Sequence, residues 1–144
     1  MKMTFFACMV VALAAMCAAA MPDDAGTLKG TWKPIKALLA GTPLPPAVLH
    51  EITLKMADGS YEVTVEGEQP DKGTWTIDTK SKPNRMTITS TDGANKGKTF
   101  PSIYEIKANT LRVCYDLSGV KHPTEFKSAK GTKLYLVTYE RKMP

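Results

Sequence analysis

The chain has 144 residues, a formal net charge of +5 and three cysteines. This length is enough for one domain rather than several. The basic residues are spread along the chain, with a looser group at Lys121, Lys127, Lys130 and Lys133. Such a distribution is typical of a solvated surface and argues against a polyanion-binding patch.

The N-terminal segment, residues 1–20, has the pattern of a secretory signal peptide. Lys2 provides a positive start, residues 5–16 form an uncharged apolar run, and residues 18–20 are small. The pattern predicts export to the periplasm or the outside of the cell, with cleavage near Ala20. The apolar run is too short to cross a membrane, which takes about 20 residues, so no membrane span is expected in the mature chain.

The cysteines bear on both anchoring and stability. Cys17 follows a run that superficially resembles a lipoprotein signal, but Met16 stands where a small residue is needed, so lipid anchoring at Cys17 is not expected. Cleavage near Ala20 removes Cys8 and Cys17 and leaves Cys114, which cannot form an internal disulfide. The domain is therefore predicted to depend on its core alone, although an exported protein could form disulfides.

Residues 21–26 are predicted to be a flexible lead-in, and residues 27–142 a single domain. The first strand begins at Leu28 and alternates through Trp32, until Pro34 interrupts the pattern. Because proline cannot donate to a central ladder, a bend or bulge is expected there. Residues 40–46 are loop-like, and residues 47–51 are predicted to form one short helical turn after a run of prolines.

The rest of the chain alternates between apolar and polar residues in short segments separated by turns. Asp58 and Gly59 form a strong hairpin signal. The segment 117–131 is predicted to be a long loop before the last strand, residues 132–141, which is apolar on both faces. The remaining predicted strands are 52–56, 61–66, 73–78, one around Met86 and Ile88, 98–106, and 111–116.

Eight short strands at hairpin spacing, with almost no helix, predict an all-β fold: an antiparallel eight-stranded up-and-down barrel. An interior of that size is filled by side chains or holds one small ligand. The parity of each strand predicts the following inward residues: Leu28, Trp32, Ile52, Leu54, Met56, Tyr61, Val63, Val65, Trp75, Ile77, Met86, Ile88, Tyr104, Ile106, Leu111, Val113, Tyr115, Leu134 and Leu136.

Gly30 and Trp32 on the first strand, with Arg141 near the end of the last, resemble the pattern of the lipocalin (calycin) superfamily. The resemblance implies that Trp32 plugs the closed end of the barrel and that the guanidinium of Arg141 lies over its ring. A guanidinium above an indole is a favourable cation–π pair, worth about 0.5–2 kcal/mol. These three residues are therefore expected to close the barrel.

A wider resemblance covers nearly the whole mature chain and is carried by residues 28–32, 73–78 with 82–83, 103–106 with 111–114, and 123–126. These segments are similar to an uncharacterised family of small secreted lipocalin-like domains in planctomycete bacteria. That family often has arginine before the proline of the last segment, where this chain has His122. The resemblance implies the barrel fold and export and leaves the function open.

Signals for enzymatic chemistry are weak. His50, His122 and Cys114 have no metal-ligand spacing, so no metal or other cofactor is expected. Cys114 lies in mid-strand and is predicted to be a packing residue rather than a nucleophile. Glu62 and Glu66 share a strand face with threonine, which is typical of an outer surface rather than a pair of catalytic carboxylates.

Three functions are compared, and a non-enzymatic one is favoured. The first is binding of a small hydrophobic ligand inside the barrel, beneath the loop 40–51; its candidate contacts are Met56, Trp75, Met86, Tyr104 and Tyr115. The second is a dry-cored structural or interaction module, which docks an envelope protein through its outer face or the loop 117–131. The third, an enzyme, is the least supported. Nucleic-acid binding, a separate alternative, is disfavoured because most aromatic residues have inward parity.

Overall fold

The computed structural model describes residues 24–143. The predicted signal peptide, its cleavage near Ala20, residues 21–23 of the lead-in and Cys17 lie outside the described residues. Nine strands and two short helices follow one another along the described part. They are α1 (Asp24–Leu28), β1 (Gly30–Leu39), β2 (Thr42–Pro43), α2 (Pro46–Glu51), β3 (Ile52–Met56), β4 (Ser60–Val65), β5 (Asp71–Asp78), β6 (Asn84–Asp92), β7 (Thr99–Lys107), β8 (Thr110–Asp116) and β9 (Leu134–Arg141).

The strands form one antiparallel meander that closes on itself. From β3 to β9 each strand pairs with the next in sequence, β1 pairs with β3, and β1 also pairs with β9. The closing register runs from Trp32 opposite Arg141 to Leu39 opposite Tyr135. The predicted all-β, lipocalin-like barrel of eight antiparallel strands is therefore confirmed, with the two-residue β2 as an extra strand on β1.

The prediction of a bulge near Pro34 is confirmed. The register between β1 and β9 shifts between Pro34 and Lys36, but β1 continues to Leu39. The shift leaves Ile35 54% exposed and turns Ala37 into the core at 2% exposed. Pro34 remains in register opposite Tyr139, next to the bulge, where the ladder is interrupted and proline is tolerated.

Strands β1 and β3 separate soon after they meet. They pair only from Gly30 to Trp32, and the helix α2 packs beside them where they diverge. The ammonium of Lys33 bridges the gap, because its Nζ donates to the carbonyl oxygens of His50 and Ile52 and to Thr53 Oγ1. This helix is the one predicted at residues 47–51, and it begins at Pro46 as proline at a first helical turn allows.

The helix α1 was not predicted from the sequence. Residues 24–26 were expected to belong to a flexible lead-in, but Asp24–Leu28 is helical and ends in the fully buried Leu28. Its first residue is tied to the barrel, since Asp24 Oδ2 accepts hydrogen bonds from Tyr104 OH at 2.8 Å and Asn84 Nδ2 at 3.4 Å. Tertiary contacts rather than helix propensity stabilise such a short segment.

The faces of β9 are opposite to those predicted. Tyr135 lies opposite Tyr115, and Val137 opposite Val113, so these residues face the interior with the core face of β8. Leu136, predicted inward, instead lies opposite Cys114 on the outside of the barrel. Both faces of β9 are apolar because the outer face is covered as well.

The cover is the segment 117–133, which folds across the outside of β7 and β8. Beneath it Cys114 and Ile103 are both 0% exposed. Phe126 reaches back to place its ring 4.1 Å from the guanidinium carbon of Arg112, and His122 Nδ1 donates to the carbonyl oxygen of Ser102 at 2.9 Å. The barrel therefore has a second, smaller buried layer on this side.

Asp116 fixes the start of this segment. Its carboxylate accepts hydrogen bonds from the backbone N–H groups of Ser118, Val120 and Lys121 at 2.9, 3.2 and 3.0 Å. Burial by itself raises the pKa of Asp116, but these donors and the Ser118 hydroxyl outweigh it and lower the pKa below its ordinary value.

Within residues 24–143, no helix has the length and apolar character needed to cross a membrane.

Candidate ligand cavity in the barrel

One end of the barrel is closed by Trp32 and Arg141. The guanidinium carbon of Arg141 lies 4.2 Å from the centroid of the Trp32 ring, as the resemblance to the lipocalin pattern implied. Trp32 is 0% exposed, and its indole N–H donates to the carbonyl oxygen of Leu28 at 2.8 Å. The indole is therefore fixed on its edge by α1 and on its face by Arg141.

Arg141 also ties the end of β9 to the chain before β1. Its Nη1 donates to the carbonyl oxygen of Lys29 at 2.8 Å and its Nη2 to that of Thr27 at 2.6 Å. Gly30 makes this approach possible: a Cβ there would lie 2.9 Å from Arg141 Nη1, and its φ of +132° disfavours other residues. The glycine, the indole and the guanidinium thus act as one closing unit.

Trp75 and Tyr104, two of the predicted ligand contacts, do not line the cavity described below. The indole N–H of Trp75 lies 3.0 Å from the Ser60 carbonyl oxygen and 3.2 Å from that of Ala57, so it fixes the hairpin between β3 and β4. The hydroxyl of Tyr104 donates to Asp24 and holds α1. Both side chains are buried and have structural partners.

A cavity of about 230 Å³ occupies the interior towards the opposite end of the barrel. It is lined mainly by apolar residues of β3, β4, β6 and β8, with Asn95 and Leu117 contributed by two loops. Leu117 is 36% exposed, so the cavity reaches the surface at this end. The lining residues are Ile52, Leu54, Met56, Tyr61, Val63, Val65, Asp71, Met86, Ile88, Asn95, Phe100, Leu111, Val113, Tyr115, Leu117, Tyr135 and Tyr139.

Three of the predicted ligand contacts, Met56, Met86 and Tyr115, are brought together in this lining. The predicted lid is not: none of residues 40–51 lines the cavity. Within that segment Leu49 is buried in the core and Leu44 packs against it. The segment seals the space where β1 leaves β3, so it does not form a lid over this cavity.

Tyrosines give the cavity a polar element on its β8–β9 side. The hydroxyls of Tyr115 and Tyr139 lie 2.9 Å apart in a hydrogen bond, and the rings of Tyr115 and Tyr135 stack with centroids 5.7 Å apart. Burial raises the pKa of all three hydroxyls above their ordinary value, so they stay neutral donors. They can bind a hydroxyl or carbonyl group without adding charge.

A second polar group lies where β4, β5 and β6 meet at the open end. Asp71 Oδ1 accepts a hydrogen bond from Ser90 Oγ at 2.6 Å, and Asp71 Oδ2 accepts one from Tyr61 OH at 3.3 Å. Burial, and after it the negative charge of Asp71, raise the pKa of Tyr61 to about 12. Gly73 makes room for the Tyr61 ring, since a Cβ there would lie 2.7 Å from Cε1.

Sequence reasoning missed Asp71, Asn95, Tyr135 and Tyr139 as lining residues. Asp71 and Asn95 lie in stretches that were interpreted as turns, and the two tyrosines were assigned to the outer face of β9. A signal for Asp71 was available, because it shares the parity of Gly73 and Trp75 in the strand that follows. Extending the alternation of this strand two residues back from Gly73 predicts that the Asp71 side chain faces the interior of the barrel.

The groups best suited to other chemistry lie away from the cavity. Cys114 is buried on the outer side of β8, where its thiol donates to the Lys127 carbonyl oxygen at 3.5 Å, and burial raises its pKa. A thiol with a raised pKa is a poor nucleophile. Between Asp24 and Met143, no group of three or more His, Cys, Asp or Glu side chains could hold a metal ion.

Comparison with protein-family models, with curated proteins and with solved structures found no match to this chain. The fold and the cavity therefore rest on the geometry described above, and the similarity to the planctomycete family stays a prediction.

Proposed function

We propose that this protein is an exported, non-enzymatic binding domain that holds one small, mainly apolar ligand inside its barrel. The observation that carries the proposal is the cavity of about 230 Å³ lined by aliphatic, methionine and aromatic side chains. An apolar cavity of this kind binds apolar molecules by removing their surface from water. The few polar groups in its lining would set the orientation of the ligand.

The volume limits the size of the ligand. An apolar protein cavity of about 150 Å³ holds a benzene molecule. Scaled from there, a cavity of about 230 Å³ holds a molecule of roughly nine non-hydrogen atoms. A single substituted ring or a chain of medium length fits this limit, whereas a long-chain fatty acid exceeds it.

Two features support binding over the other functions considered. The thiol of Cys114 lies outside the barrel, and burial raises the pKa values of the Tyr115 and Tyr139 hydroxyls, which makes all three poor nucleophiles. The second candidate, a dry-cored module that docks an envelope protein, needs a filled barrel. The unfilled space between β4 and β8 favours ligand binding instead.

The test is calorimetric titration of the purified protein with octan-1-ol, a neutral probe of about the right size, together with native mass spectrometry for a ligand that co-purifies. Val65 lines the cavity near its open end, so Val65→Trp should fill the space and abolish binding. The matched control is Val48→Trp. Val48 lies on α2, is 38% exposed and does not line the cavity, so this variant should bind like the parent.

Far-ultraviolet circular dichroism and the melting temperature show whether each variant is folded. Binding by the parent and by Val48→Trp, with none by a folded Val65→Trp, supports the proposal. Absence of octan-1-ol binding and of any co-purifying molecule in the parent contradicts it and favours the dry-cored module. Equal binding by both tryptophan variants would place the ligand outside the barrel.

A further inference from the structure

The polar group at the open end of the cavity carries a single negative charge. Among the described residues that line the cavity, Asp71 alone has a formally charged side chain, and no lysine, arginine or histidine is among them. The ion pairs found between described residues join Lys29 to Asp58 and Glu105 to Lys107 and Arg112. Asp71 takes part in none of them.

The carboxylate of Asp71 is positioned by neutral donors. Ser90 Oγ lies 2.6 Å from one of its oxygens and Tyr61 OH 3.3 Å from the other. A carboxylate offers about four acceptor sites, so two remain after these hydrogen bonds are made. Tyr61 and Ser90 fix the direction of the carboxylate, and no cation of the described chain forms an ion pair with it.

The position of Asp71 along the barrel suits recognition of a head group. It is the first residue of β5, opposite Val63 of β4, and both residues line the cavity. Asn95 also lines this end and adds an amide that can accept a further hydrogen bond. Deeper residues such as Met86 and Leu111 are apolar, so a bound molecule would meet charge at one end and hydrocarbon along the rest.

We infer that the ligand is a small amphiphilic amine: a protonated amino group bound by Asp71, joined to an apolar body that fills the barrel. The inference rests on the proposed function and names the chemical class of the ligand. An ammonium supplies the cation that the carboxylate lacks, and hydrogen bonds between charged groups are stronger than neutral ones. A carboxylate ligand would instead place a second negative charge beside Asp71 with no cation to offset it.

The aromatic lining adds to the preference for a cation. Tyr61 lines the cavity and bonds directly to Asp71, so an ammonium held by the carboxylate lies close to its ring. Cations are attracted to aromatic faces. Because the tyrosine hydroxyls remain neutral, they neither repel an amine nor attract an acid.

The experiment compares three probes of matched size by calorimetric titration near neutral pH: octylamine, octan-1-ol and heptanoate. Octylamine should bind the parent protein at least about tenfold more tightly than octan-1-ol, since either head group can donate a hydrogen bond to Asp71 but only the ammonium adds a charge–charge attraction. Heptanoate should bind more weakly than octan-1-ol. Asp71→Asn should remove the advantage of octylamine and leave the affinity for octan-1-ol within about twofold.

Glu62→Gln is the matched control, because it removes one negative charge from the neighbouring strand β4 at a residue that does not line the cavity. Glu62→Gln should bind the three probes in the same order of affinity as the parent. Two results overturn the amine inference and leave the proposed function standing. One is that heptanoate binds the parent as tightly as octan-1-ol or more tightly. The other is that Asp71→Asn keeps the preference for octylamine. Failure of all three probes to bind, with no co-purifying molecule in the parent, overturns both.

Discussion

The closing unit of the barrel gives a quantitative test of the fold. Replacing Trp32 by alanine removes a side chain that is 0% exposed, together with its hydrogen bond to Leu28. Truncation of a fully buried aromatic residue costs about 3–5 kcal/mol of unfolding free energy. Arg141→Ala removes the cation–π contact and two hydrogen bonds to backbone carbonyls, but its head group is partly solvated, so we expect a smaller loss of about 1–2 kcal/mol.

The two residues should also be energetically coupled, because the guanidinium lies 4.2 Å from the indole ring. In the double variant the cation–π contact is lost only once. The summed losses of the single variants should therefore exceed the loss in the double variant by about 0.5–2 kcal/mol. This coupling separates a direct contact from two independent contributions to packing.

Urea unfolding followed by far-ultraviolet circular dichroism measures these free energies, and the signal does not depend on the tryptophan that is removed. Trp75→Ala combined with Arg141→Ala is the control, since Trp75 bonds to the β3–β4 hairpin and not to Arg141. That pair should be additive within about 0.5 kcal/mol. Additivity of Trp32→Ala with Arg141→Ala, or a loss below about 1 kcal/mol for Trp32→Ala alone, would refute the closing role.

Three further predictions concern the tyrosines and the outer layer. Tyr115→Phe or Tyr139→Phe leaves one buried hydroxyl without its partner and should lower the free energy of unfolding by about 1 kcal/mol. The double variant should be close to the parent in urea unfolding, because both hydroxyls of the hydrogen bond are gone. Losses that add in the double variant would contradict this. All five tyrosines have pKa values above the value of about 10 that they have in the unfolded chain. The stability that they contribute is therefore fully present below pH 10. It is lost as the pH rises towards about 12, which is the pKa of Tyr61 in the folded protein. An absorbance titration should show tyrosinate appearing together with unfolding, and a midpoint near pH 10 in the folded protein would oppose it. Cys114 should react slowly with a maleimide in the folded protein, because the segment 117–133 covers it. Phe126→Ala loosens that segment, so the thiol should react several-fold faster in this variant. Rapid labelling of the parent would show that the segment does not cover the thiol.

The barrel could be predicted because its signals are local and repeated. Alternation with period two and the turn at Asp58 and Gly59 determine strands and hairpins, and the resemblance to the lipocalin pattern implied the pairing of Trp32 with Arg141. The helix α1 could not be predicted in this way. Five residues carry too little periodicity, and the contacts that hold Asp24 come from strands far along the chain.

The cavity could be predicted only in part. The alternation along a strand shows which side of the sheet a side chain faces, but not how far along the barrel axis it lies. Met86 and Tyr104 are both inward, but only Met86 reaches the cavity, since Tyr104 lies beside α1 at the closed end. The face of β9 could not be decided from its own sequence. Both faces are apolar, and the segment 117–133 that covers Leu136 and Cys114 must be placed before the inner face can be recognised.

Closure between β1 and β9 has a consequence for the order in which the chain can fold. Hairpins from β3 to β8 join neighbours in sequence, but Arg141 meets Lys29, 112 positions earlier in the chain. Pairings of such high contact order are slow to form. Until they do, β1 and β8 each present an unpaired edge that another strand could join. A ribosome that still holds β9 therefore also keeps the barrel open, and release of that strand completes both the fold and its protection from aggregation.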